Sequence, residues 1–349
     1  MPEQLMWEPD VSRGEWLRPM ESEPFASILS VVPRGFEAYA RIFHAVERDR
    51  PRATGTWHGV EEESLFAGVT DIEAALETGR TTWAEVAAAF GTTMHSEAQF
   101  ARLVGLGRWE ESQTVAPDGW RYDMPPEGSC DPGSFTGAAR VLERHTTTPS
   151  AGVAAVWEGW GGLMSSAGYA TYTAEMPDPT TDDRGLRSAV RAAGTRLRAT
   201  LRRALTRVRW ATTDRIALFH RDPEPGTGLL SREIASGPTF ALHGGTGRTY
   251  VLFQAGADDF TDPAWGDRAP WVRPGWSPQT PSMVWPEDHA WFLATEIDWD
   301  STLVAGSAEL VRELVETPGL EVLAIDPDAR LTDDGDGDTI NPAPETETA

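Results

Sequence analysis

Thr239-Phe-Ala-Leu-His-Gly-Gly-Thr-Gly-Arg-Thr-Tyr-Val-Leu-Phe-Gln254 is the stretch that decides the fold. Thr239–His243 and Thr249–Gln254 are short runs rich in strand-forming residues. Gly244-Gly-Thr-Gly247 between them supplies the glycines a tight reversal needs, so the segment reads as a β-hairpin. In a hairpin those glycines are not a dinucleotide-binding loop, which needs a strand before it and a helix after it. Working outward, Gly152–Glu158, Arg215–His220, Trp291–Trp299 and Leu320–Ile325 read as strands and Ser307–Glu316 as a helix. Upstream, Phe36–His44 alternates Tyr39, Arg41 and Phe43 against Ala38, Ala40 and Ile42. This suits a strand, and a short helix also fits. Thr82-Trp-Ala-Glu85 is a capping box that opens a helix over Trp83–Phe90, closed by Gly91. Ser96–Val104, with Phe100, Leu103 and Val104 as its stripe, and Phe135–His145 read as two more helices.

Strands in meander order with helices grouped on one side predict an α+β fold with a mixed or mainly antiparallel sheet. The expected organisation is a loosely ordered segment 1–24, an α-rich part 25–148, and a β-rich part 149–330 packed with it as one unit. A disordered acidic tail follows over 331–349.

All 30 basic residues are arginine; the chain of 349 residues contains no lysine. That removes P-loop phosphate binding, Schiff-base chemistry and the kinase strand lysine. What remains is carboxylate, histidine, hydroxyl, arginine and metal chemistry, or binding alone. A formal charge of −24 repels a phosphate backbone and favours a basic protein as partner over nucleic acid. Cys130, the single cysteine, allows neither an internal disulfide nor a cysteine zinc cluster, and sits in the turn-rich Glu127–Ser134. The N-terminus lacks the basic and apolar regions of a signal peptide, and no apolar run reaches the roughly 18 residues of a membrane span. A cytoplasmic protein is expected.

Glu296-Ile-Asp-Trp-Asp300 carries the sharpest local pattern. On a strand, Glu296, Asp298 and Asp300 share one face, and three clustered carboxylates suit a hard cation such as Mg²⁺. Trp285-Pro-Glu-Asp-His289 sets an imidazole beside two acids, either as half of an acid–base pair or as a turn begun by proline and capped by Asp288. Asp298, Asp300 and His289 are therefore the candidate catalytic residues, and Glu296, Asp298 and Asp300 the candidate metal ligands. His44 and His95 are the other histidines of interest. No H-E-x-x-H or G-x-S-x-G motif occurs. Asp334-Gly-Asp-Gly-Asp338 imitates the start of an EF-hand loop but lacks its glycine, and reads as a solvated tail.

Two further features suit partner binding. Arg184–Arg209 holds nine arginines over a helical stripe of Leu186, Val190, Leu197, Leu201, Leu205 and Val208, from which Arg191, Arg198 and Arg202 are candidate contacts. Trp265, Trp271, Trp276, Trp285, Trp291 and Trp299 lie in a proline-studded stretch. Trp271 and Trp276 are the candidate contacts there, and burial as core is the competing fate.

Asp298-Trp-Asp300-Ser-Thr302 resembles the first motif, D-x-D-x-[TV], of haloacid-dehalogenase-like phosphotransferases. The resemblance implies Asp298 as nucleophile and Asp300 as general acid/base. The chain departs from that pattern in having fewer than fifty residues after the motif, no lysine for a later motif, and Glu296 where an apolar residue is usual. Over most of the chain, and most distinctly at Ser30–His44, Trp83–Gly91 and Pro281–Gly306, the sequence resembles a family of high-GC actinobacterial proteins with no assigned activity. It departs from them at Ala45, where such proteins often carry proline. The leading expectation is a non-catalytic, acidic, partner-binding protein of immunity or antitoxin type. The alternative is a metal-dependent hydrolase or phosphotransferase using Asp298 and Asp300, with Glu296, Asp288 or His289 assisting and Mg²⁺ as its ion.

Overall fold

A computed structural model describes residues 4–24, 26–66, 72–106, 113–166, 224–243, 247–331 and 340–341. The strands, in chain order, are β1 (Met6–Trp7), β2 (Ala38–Phe43), β3 (Val46–Pro51), β4 (Leu76–Thr81), β5 (Gln113–Val115), β6 (Arg121–Asp123) and β7 (Gly152–Trp157). They continue as β8 (Phe240–Ala241), β9 (Thr249–Gln254), β10 (Met283–Pro286), β11 (Phe292–Ala294), β12 (Ser301–Gly306) and β13 (Val322–Ala324). The three longest α-helices described are α1 (Trp83–Phe90), α2 (Pro132–Leu142) and α3 (Ala308–Glu316). The fold is α+β, and every strand pairing among the described residues is antiparallel.

Nine strands form one sheet in the order β1-β9-β7-β10-β11-β12-β2-β13, with β8 paired to β9. The β8–β9 register, Phe240 with Tyr250 and Ala241 with Thr249, closes the hairpin expected from sequence. The turn glycines Gly244 and Gly245 lie outside the described residues. The alternation of Phe36–His44 resolves as strand β2, flanked by β12 and β13. Tyr39, Leu303, Ala305, Phe292, Trp285 and Leu252 line one face of this sheet. Leu17, Met20, Ile28 and Leu29 from the N-terminal 3-10 segments, with Val32 just after them, pack against that face as the first core. On the other face a Cβ on Gly306 would meet Leu310 of α3 at 2.4 Å, so the glycine admits the helix to the sheet.

The N-terminal segment thus corrects the expectation of a loose wrap. Val11–Ser22 is 3-10 helix, Leu17 is fully buried, and Gly14 lies under the Phe240 ring, where an added Cβ would sit 2.8 Å away. Its prolines and glycine hide a regular period, but its apolar side chains still close the core.

A second sheet, β4-β3-β6-β5, packs with α1 and the short helix Phe100–Leu103 around Phe43, Val46, Trp83, Val86, Phe100 and Tyr122, the second core. The capping box forms as read: Thr82 Oγ1 accepts from the Glu85 N–H, and Gly91 ends the helix at φ 73°. Glu321 adds a second cap, its carboxylate accepting from the backbone N–H groups of Trp83 at 2.6 Å and Ala84 at 2.8 Å. A half-buried carboxylate at a helix N-terminus meets both free amides and the positive end of the helix dipole. The helix expected over Ser96–Val104 is confined to Phe100–Leu103.

Cα packing divides the chain into a unit of residues 1–159 with 237–349 and a second of 160–236. In the second, Leu163 and Leu230 are buried, and backbone bonds join Gly162 to Leu229 and Met164 to Gly226. Arg191, Arg198, Arg202 and the strand expected at Arg215–His220 lie outside the described residues. Within the tail expected to be disordered, Asn341 is buried and its amide pairs with both backbone groups of Thr93, at 3.0 and 2.9 Å.

Candidate functional site

The carboxylate stretch does not lie on a strand. β11 ends at Ala294 and β12 begins at Ser301, so Glu296–Asp300 is the connection of a hairpin and its carboxylates lose the shared face expected of them. Acid–apolar alternation over five residues fits a turn as well as a strand, and here the register of β11 against β12 decides. Arg248, at the foot of β9, takes Glu296 at 2.8 Å and Asp298 at 2.6 Å, with its guanidinium 5.4 Å from the Trp157 ring. Burial opposes the charge on Arg248, yet the two carboxylates raise its pKa above the ordinary value. Asp300 turns elsewhere and accepts from Arg41 at 3.3 Å. Among the described residues no group of three or more His, Cys, Asp or Glu side chains is arranged to hold a metal ion.

His289 and Asp288 are likewise drawn apart. His289 sits in the left-handed region at φ 53°, its ring stacked on Trp16 with centroids 4.2 Å apart, and burial lowers its pKa. The Asp288 carboxylate accepts from Thr146 and Thr147 side chains and from the Thr147 and Ala290 amides. Partial burial opposes the charge, but these bonds hold the carboxyl at about 2. Asp288 is thus the turn cap of the second reading. Trp271, a candidate contact, is core: it is 4 % exposed, packs on Phe253 and donates to the Gln279 carbonyl. Trp276 is 64 % exposed beside Arg273. His95 faces Asn341 at 3.4 Å.

A buried hydroxyl seam that no sequence motif announces lies at the end of the large sheet. His44 is fully buried, with Nδ1 2.6 Å from the Pro126 carbonyl and Nε2 2.9 Å from the Thr302 hydroxyl. A carbonyl only accepts, so Nδ1 carries the hydrogen and Nε2 accepts from Thr302. Thr302 in turn accepts from Thr295 at 2.7 Å, and the Cys130 sulfur lies beside it. Burial lowers the pKa of His44 to about 4 and raises that of Cys130 above its ordinary value. The arrangement looks like a thiol, hydroxyl and imidazole relay, but the Thr302 hydrogen is committed to a neutral histidine and burial keeps the thiol protonated. A nucleophilic thiolate needs the opposite polarity.

Alongside the seam, Arg41 is buried in full. It donates to Ser301 Oγ at 2.8 Å and to the carbonyls of Ser96 at 3.1 Å and Ala98 at 2.9 Å, beneath the rings of Phe43 and Trp83. The sequence signalled Arg41 only as one member of an alternating strand. The signal that could have found it is a lone arginine between Tyr39 and Phe43 on an apolar face.

Comparison with protein families, curated proteins and solved structures finds no match for the chain.

Proposed function

We propose that the chain is a partner-binding protein whose acidic surface caps a basic protein, in the manner of immunity and antitoxin proteins. The observation that carries the reading is the charge: 54 carboxylate residues against 30 arginines. Even if every arginine takes one carboxylate, a surplus remains to steer and seat a cationic partner. Glu296, Asp298 and Asp300 take guanidinium groups within the fold, so the surplus is supplied by other carboxylates. The cytoplasm, where a lone thiol such as Cys130 stays reduced, is the compartment that suits it.

The test is capture of the tagged full chain's partner from host lysate at low ionic strength. One basic protein in 1:1 stoichiometry, with affinity falling as salt rises, is the expected result; no partner at low salt overturns the proposal. The metal-dependent alternative requires Arg248 to release two carboxylates to an ion. The melting temperature is accordingly expected to be the same with and without millimolar Mg²⁺, and a Mg²⁺-dependent rise lost in Asp298→Asn revives that alternative.

A further inference from the structure

We propose that the four-stranded sheet carries an anion site, built by Arg48 and Arg50 on Trp120 with Arg52 just beyond the end of β3, that takes a phosphate group. β3 sets Val46, Arg48 and Arg50 on one face. Val46 is buried in the second core, and beyond it the same face turns from apolar to cationic. The pairing places Arg48 between Tyr122 of β6 and Gly79 of β4, and Arg50 opposite Glu77. Trp120, just before β6, receives both guanidinium groups, at 4.5 Å from Arg48 and 4.2 Å from Arg50.

The charges on this face are unequal. Glu77 takes Arg50 at 2.8 Å, and its pKa is lowered first by that bond and then by the charges of Arg50, Arg52 and Arg48. Asp118 is engaged by the Tyr122 hydroxyl at 3.1 Å. Arg48 lies beside that same hydroxyl, and its Nε is buried without a hydrogen-bond acceptor among the described residues. Neither Arg48 nor Arg52 has a carboxylate within ion-pair distance among the described residues. In a chain with so large an excess of acid, two arginines left without an ion-paired carboxylate, Arg48 within β3 and Arg52 just past its end, are a selective feature. Glu77 offsets Arg50, but Arg48 brings a second guanidinium to the same indole, at a cost the ring's negative face offsets only in part. A tetrahedral oxyanion relieves it, because guanidinium N–H groups fit phosphate oxygens in pairs.

The experiment is isothermal titration of the full chain with inorganic phosphate and, separately, with phosphoserine, each in chloride buffer of matched ionic strength. Saturable 1:1 binding is expected, weakened about tenfold by Arg48→Gln and again by Arg52→Gln, as follows from losing one charged hydrogen bond each. Arg34→Gln, which removes an exposed arginine paired to Glu23, is expected to bind as the parent does. Tighter binding of phosphoserine assigns a phosphate ester as the ligand, and equal or tighter binding of phosphate assigns the free ion. Heats no larger than those of chloride, or binding that persists in both the Arg48 and Arg52 variants, overturn the site. Arg52 is exposed, so its variant reads out binding even if Arg48→Gln unfolds the sheet.

Discussion

The two cores solve the same problem with different materials. The first is closed by aliphatic side chains, Trp285 and Phe292, delivered by a nine-stranded sheet and the 3-10 cover. The second has a small sheet and few apolar residues, and it lays arginines over its rings: Arg41 on Phe43 and Trp83, Arg48 and Arg50 on Trp120. Arginine stems supply apolar cover while the guanidinium stays bonded, so a short sheet gains area it could not reach with leucines at its rim. The large core has such cover at its edge, Arg18 over Phe240 and Arg248 over Trp157, but the small one depends on it more.

Arg41 is where the comparison breaks most easily, since β2 carries Tyr39 into the first core and Phe43 into the second with Arg41 between them. Arg41→Met strips the donors from Ser301, Ser96 and Ala98 and leaves Asp300 without this partner. A loss of about 3–5 kcal/mol is expected by urea denaturation. A loss below about 1 kcal/mol would show that the two cores do not depend on this joint.

His44 sharpens the comparison through pH. Its folded pKa of about 4 lies below the ordinary 6.5, so the folded state binds fewer protons than the unfolded one. Stability from this group is therefore full above pH 6.5 and drains away as pH falls toward 4, by about 3 kcal/mol in total. The stability of the parent minus that of His44→Gln, measured at steps across that window, is expected to shrink as pH falls. A flat difference rejects the neutral buried imidazole.

The smallest effect separates the cores. Thr82→Ala removes one half of the capping box and is expected to cost about 1 kcal/mol. Amide exchange is expected to quicken in α1 while β9, in the first core, stays as protected as before. Equal quickening in both would show that they open together.

The sequence made the hairpin and the capping box legible because each is set by local geometry: glycines in a reversal, and a hydroxyl three residues before a carboxylate. The alternation at Phe36–His44 left strand and short helix both open, and pairing with β12 and β13 decides for the strand. The small sheet was not legible, since Glu47, Arg48, Asp49 and Arg50 are poor strand formers and gain their place from cross-strand partners such as Glu77 and Arg121. β10 was hidden by Pro281 and Pro286, which bracket Met283–Trp285 as turn residues do. At the candidate site the acids were visible but their arginine partners were not. Arg248 lies 48 positions from Glu296, and Arg41 lies 259 from Asp300. Trp271 and Trp276, five positions apart in one proline-studded stretch, differ only in what the loop brings against them.

β2 has both of its sheet neighbours, β12 and β13, far downstream; Ser301 stands 260 positions after Arg41. During synthesis at roughly 5–20 residues per second, an apolar strand with two open edges therefore waits on the order of tens of seconds for its partners. The arginine at its centre keeps that waiting strand from being uniformly apolar, a guard against mispairing that acts before any native contact exists.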